Sequence, residues 1–228
     1  MTGTYPAVYG WDFCDIHNPR LRQHATAILR RLIIEAFERG GVNTISWHMN
    51  NPITGRRYND CKADTVSRIL PGGDRHALFR ETLDWAAVFS LSLRAPDGTL
   101  VPVIFRPWHE HTHDGFWWNL PYCGEEDYVH LWRFTVHYLR DIRHVHNLLY
   151  AYASSGRCIK VTEATYLQGY AGDDCVDILG LDNDMDNPKR SCRGRAGSEI
   201  RFQQAQNCRS SRGTERESGR FHGNRTHA

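Results

Sequence analysis

The run Leu100 to Arg106, LVPVIFR, is apolar almost without interruption and leads straight into Pro107-Trp108-His109-Glu110. A strand with one wet face alternates apolar and polar residues, whereas a continuous apolar run belongs to a strand covered on both faces, as in a parallel sheet. Parallel neighbours need a crossover, usually a helix, so this run predicts an α/β chain. Pro6 to Phe13, Val42 to Met49, Asn147 to Ala153 and Cys175 to Asp182 read as four further strands. Helical patterns fall between most of them. Asn18-Pro19 is a cap followed by the favoured first helical residue, and Leu21, Ala25, Ile28, Leu29, Leu32, Ile33, Ala36 and Phe37 then mark one apolar face that Gly40-Gly41 stops. A second helix is predicted from His76 to Leu93 with Asp74 as its cap. A third starts at Glu125-Glu126-Asp127, with Tyr128, Leu131, Trp132, Thr135, Leu139 and Ile142 as its buried face. Asn50 to Asp74 is a polar loop of about 25 residues, longer than most connections, which points to function. In a parallel barrel or open sheet, ligands meet the carboxyl ends of the strands.

At such an end, His109-Glu110-His111-Thr112-His113 satisfies H-E-x-x-H, the zinc-protease pattern. That chemistry needs a helix under the motif, so that both histidines reach one metal. Pro107 before it and Asp114-Gly115 after it leave room for barely one turn, so a zinc hydrolase built on HEHTH is disfavoured, and no metal or other cofactor is expected. Glu110 instead suits a general acid: burial beside aromatic residues raises a carboxyl pKa toward the working pH. Trp117 and Trp118 offer flat indole faces of the kind that pack on sugar rings. The same residues also read as core tryptophans beside an ordinary loop acid, and the local sequence does not choose between these readings.

YPAVYGWDF, TISWHMNNPITG, ILPGG, VPVIFRPWHEHTHDGFWW, LWRFTVHYLRD, HNLLYAY and GDDCVDILGLDN, in this order from about Tyr5 to Asp186, closely resemble the glycoside hydrolases of family 26, chiefly β-mannanases. The resemblance implies a (β/α)8 barrel that hydrolyses β-1,4-linked mannan with retention of configuration. It makes Glu110 the general acid/base and His109 the residue that orients Glu110 and the substrate. Trp47 and His48 fall on the cleft floor, Trp117 and Trp118 beside the sugar subsites, and Arg106 and Asp182 among the substrate-binding residues. Two positions depart from the family pattern. Gly115 stands where a tryptophan is usual, and Asp184 stands where a tyrosine that contacts the nucleophile is expected.

About five of the eight barrel strands are found, ending with the family's sixth, so a glutamate nucleophile on a seventh strand is not identified. Glu163 reads as a loop acid. Glu199, Glu215 and Glu217 fall in a segment without helix or strand period and rich in arginine, serine and glycine. The expectation is therefore a partial barrel domain over residues 1–188, a disordered or frame-shifted tail over 189–228, and a chain that by itself turns over no mannan. A non-catalytic carbohydrate-binding remnant is the alternative. The formal net charge of +2 gives no footprint for nucleic acid, and no apolar run is long enough for a membrane span. Seven widely spaced cysteines without a C-x-x-C pair suggest neither a zinc cage nor a disulfide scaffold. A monomer acting on β-mannan or manno-oligosaccharide is expected. No signal peptide is read in the chain, although the resemblance suggests a secreted, periplasmic or cell-surface enzyme.

Overall fold

Five parallel strands form one sheet in the order of the chain: β1 (Val8–Asp12), β2 (Val42–Ser46), β3 (Val103–Arg106), β4 (Leu148–Ser155) and β5 (Ile178–Asp182). The structure is a computed structural model that describes residues 4–14, 22–61, 64–156 and 162–182. All four pairings are parallel, with Trp11 opposite Ile45, Ile45 opposite Phe105, and Phe105 opposite Tyr150. Sequence order equals spatial order, which is the winding of a (β/α) barrel, and the described sheet does not close. Burial follows position in the sheet. Interior β4 is buried at seven of eight residues and interior β2 and β3 at alternate ones, whereas β1 and β5 at the sheet's edges have no fully buried residue.

The helices pack against the sheet as their apolar periods require, with several departures from expectation. Helix α1 (Arg22–Glu38) buries Ile33 and Ala36 fully, but Ile28, expected on the same face, is 40% exposed. The second half of α1 is tied to β2, where Asn43 Nδ2 donates to the Ile33 carbonyl at 3.1 Å. The long loop contains a short helix, α2 (Thr65–Ile69), and α3 (His76–Leu91) is preceded by Arg75 without a side-chain cap. Asp74 does not cap it, because its carboxylate is held by Arg68 at 2.6 and 2.8 Å. The helix expected from Glu125 begins earlier, as α4 (Leu120–His137), and breaks at Gly124, whose φ of 75° a residue with a side chain rarely adopts. A π-helical turn, Tyr138–Ile142, follows; it buries Leu139 but leaves Ile142 62% exposed. Glu163 is not in an irregular loop but opens a one-turn helix, α5 (Glu163–Tyr166), capped by Thr162, whose hydroxyl accepts from the Thr165 amide.

An aromatic core joins the layers. Phe13, Trp47, Phe105 and Trp108 meet between the sheet and α3, and Tyr128, Trp132 and Tyr152 meet between the sheet and α4. Among the described residues no helix is long and apolar enough to cross a membrane. The Asn18-Pro19 cap, Leu21, Asp184 and the whole 189–228 segment lie outside the described residues.

Candidate active site

The carboxyl ends of all five strands point to one face, and the polar residues singled out in the sequence collect there. β3 ends at Arg106, and residues 107–113 form turns rather than a helix. Trp108 and Glu110 both have positive φ, 50° and 54°, on either side of His109. Non-glycine residues avoid this region unless their surroundings hold them there. The surroundings do so on both sides. The Glu110 amide donates to Ala153 O in β4 at 2.8 Å, and its carbonyl accepts from Asn119 Nδ2 at 2.9 Å and from the His113 amide at 2.8 Å. Tyr128 in α4 donates to the Trp108 carbonyl at 2.8 Å. Glu110 is thus fixed by the neighbouring strand and by the start of α4, and it is 8% exposed.

His109 lies on the other side of this turn, facing β2 and β1. Its Nε2 is 3.3 Å from His48 Nε2, and His48 Nδ1 donates to the Asp12 carboxylate at the end of β1. The His48 amide and the Ser46 hydroxyl also donate to Asp12, at 3.2 and 3.1 Å. Burial works to raise the Asp12 carboxyl, but the hydrogen bond and charge of His48 outweigh it and hold Asp12 below its usual value. Burial pushes His109 down to about 3, aided by the positive fields of His48 and Arg106, so His109 is neutral near pH 7. Tyr58 and Phe116 close this side, with ring centres 4.7 and 5.4 Å from His48. On the opposite side Arg106 donates to Asp182 Oδ2 at 2.8 Å.

The three histidines of HEHTH diverge. His109 meets His48, whereas His111 is fully buried, 2.8 Å from Gln168 O and stacked on Tyr128, and burial pushes it down to about 4. His113 turns to Asp114 at 3.5 Å. The zinc arrangement is therefore not formed, because the turn sends successive side chains to different partners.

The tryptophans are also corrected. Trp47, Trp117 and Trp118 are all at most 1% exposed, so their indole faces are covered by protein and offer no open sugar platform. Trp117 donates to Met49 O at 2.8 Å and Trp118 to His109 O at 2.9 Å. They brace the loops that carry His48 and Glu110. The partly exposed rings at this face are Tyr58 and Phe116. Sequence reasoning passed over Asp12, Tyr58, Phe116 and Asn119. Asp12 could have been found by the rule that singled out Glu110, since it also ends a strand; Asn119 gave no signal beyond preceding a helix.

A parallel sheet wound in sequence order, with polar residues gathered at the carboxyl ends of its strands, is the architecture of a (β/α)-barrel protein. The model of glycosyl hydrolase family 26 matches residues 1–194, and the chain belongs to that family. It is 40% identical over 188 residues to a mannan endo-1,4-beta-mannosidase of Bifidobacterium adolescentis, covering 79% of this chain and 19% of that protein. Among solved structures it resembles a family 26 β-mannanase of Bacteroides ovatus, with TM-score 0.76 and 39% identity over 83% of this chain and 55% of that one. A modular endo-β-1,4-mannanase of Cellulomonas fimi gives TM-score 0.74 and 42% identity, covering 79% of this chain and 42% of that one. The chain thus spans about half the length, or less, of these relatives.

Proposed function

We propose that this chain carries the acid/base half of an endo-acting, retaining glycosidase for β-1,4-mannosidic bonds in mannans, within a domain comprising residues 1–188. The observation that carries the reading is the constrained, buried turn that holds Glu110 at the end of β3. Glu110 protonates the leaving glycosidic oxygen, then takes a proton from the water that completes the reaction. His109, neutral and enclosed between His48 and Phe116, keeps the turn in register and adds no positive charge that would hold Glu110 ionised. Arg106, Asp182 and His48 line the face where the sugar binds, and Trp47, Trp117 and Trp118 support it from within.

Retention requires a second carboxylate roughly 5 to 5.5 Å from the first. Glu199, Glu215 and Glu217 lie outside the described residues, and no residue is assigned that role here. The chain by itself is accordingly proposed to release no reducing sugar.

Two experiments test this reading. In a chimera that supplies the remaining barrel from a longer relative, Glu110→Ala is expected to abolish turnover of unactivated β-mannan but to spare much of the turnover of an aryl mannobioside with a good leaving group. Equal losses on both substrates would remove Glu110 from the acid role. With the unmodified chain, reducing ends above a Glu110→Ala control would overturn the proposed inactivity, and mannan binding without release would identify a carbohydrate-binding module.

A further inference from the structure

α4 ends at His137, and the segment leading into β5 carries Asp174 and Cys175, so these residues meet on the amino-terminal side of the sheet, away from Glu110. His137 Nε2 lies 3.7 Å from Cys175 Sγ, and Cys175 Sγ lies 3.7 Å from Asp174 Oδ2. One ligand atom from each of the three residues lies within 4.8 Å of the other two, and this is the one such group of metal-ligand side chains among the described residues. Zinc bonds of about 2.3 Å to sulfur and 2.0–2.1 Å to nitrogen or oxygen place tetrahedral ligands about 3.5 Å apart. The two edges that share Sγ are already close to that length.

The surroundings of these ligands are the second observation. His137 Nδ1 lies 2.8 Å from Asp141 Oδ2, the carboxylate–histidine pairing that fixes a ligating imidazole with its other nitrogen free for metal. Arg140 Nη2 also approaches His137 Nδ1, at 3.2 Å, but Arg140 donates to Asp141 at 2.8 and 3.1 Å, so the shorter carboxylate contact decides the tautomer. Asp174 is oriented by Arg133 at 2.7 and 2.9 Å, and Cys175 by Trp132 Nε1 on its carbonyl at 3.0 Å.

We propose that His137 Nε2, Cys175 Sγ and Asp174 Oδ2 bind a zinc-type divalent cation that ties the end of α4 to the start of β5. Water takes the fourth position. Asp174 keeps Oδ1 on Arg133 Nη1 and turns Oδ2 from Nη2 to the cation. Coordination replaces the Cys175 S–H bond by an S–metal bond, and the proton leaves to buffer. With the thiolate formed, Asp141, Asp174 and Cys175 carry three negative charges against the two of Arg133 and Arg140, which leaves net negative charge to meet the dication.

The test is a titration of the full chain, freed of metal by chelator and kept reduced, with Co2+. One saturable equivalent is expected, with the visible bands of tetrahedral cobalt and sulfur-to-cobalt charge transfer in the near ultraviolet. Cys175→Ser should abolish the charge-transfer band. His137→Gln and Asp141→Asn should weaken binding about 10–100-fold, whereas His113→Gln in HEHTH should not. His137 is partly exposed, so its variant decides the matter if Cys175→Ser does not fold. Absence of saturable binding by folded chain, a band that survives Cys175→Ser, or unchanged affinity in His137→Gln overturns the proposal.

Discussion

Arg106 and Asp182 end strands β3 and β5, and the 2.8 Å bond from Arg106 Nη2 to Asp182 Oδ2 crosses over the end of β4 between them. Strand spacing of about 4.8 Å makes that span roughly 10 Å between backbones, which a short side chain does not bridge. Both side chains are less than one-third exposed. Arg106→Met is expected to cost about 1–2 kcal/mol in denaturant unfolding, because a charge-assisted hydrogen bond is lost at a partly covered site. Adding Asp182→Asn to it should cost less than the two single losses summed. Additive losses would mean that the bridge contributes nothing.

Positive φ at Glu110 separates catalysis from stability. Glycine occupies this region freely, so Glu110→Gly should be more stable than Glu110→Ala by about 0.5–1 kcal/mol, the reverse of their order at an ordinary position. Equilibrium unfolding of the two variants checks this; a less stable glycine variant would show that the turn relaxes when the side chain is removed.

His109 and His111 should make the fold sensitive to acid. Burial holds the folded pKa values at about 3 and about 4, below the ordinary histidine value of about 6.5, so the unfolded chain takes up protons first as the pH falls. Stability from these groups is fully present above about 6.5 and declines toward 3–4. His111→Gln should lower stability at pH 7, since bonds to Gln168 and Tyr152 are disturbed, yet show a shallower decline between pH 6.5 and 4. An unchanged slope in urea unfolding across that range would exclude His111 as a source.

Two fully buried indoles differ in one bond. Trp117 Nε1 donates to Met49 O, whereas Trp47 Nε1 has no hydrogen-bond partner among the described residues. Trp→Phe removes similar volume at both positions, so Trp117→Phe is expected to be the more destabilising by about 1–2 kcal/mol, the cost of leaving a buried carbonyl unpaired. Equal losses would assign both effects to packing alone.

Periodicity made much of the fold legible. The run LVPVIFR does hold an interior strand, but only its second half, Val103–Arg106, is strand, and burial there alternates instead of covering both faces. The three main helices lie about where three-and-four spacing puts them, because burial of one face is a local property of the sequence. Where a local signal misled, a competing partner took the residue: Arg68 captured Asp74, expected to cap α3. The tryptophans beside Glu110 were visible as aromatics, but their composition does not say which way they face.

The sequence alone determined that the strands are parallel, that Glu110 follows closely on the end of one of them, and that the chain resembles a family of glycosidases. Only the tertiary structure decided that His109 meets His48, that His111 turns away from it, that Arg106 reaches Asp182, and that the three indoles lie inside. Those relationships join residues as many as 76 positions apart, and they depend on strand register and on which side of a turn each backbone bond faces. Neither quantity has a local period to read, since a change of one residue in register sends a side chain to the opposite face.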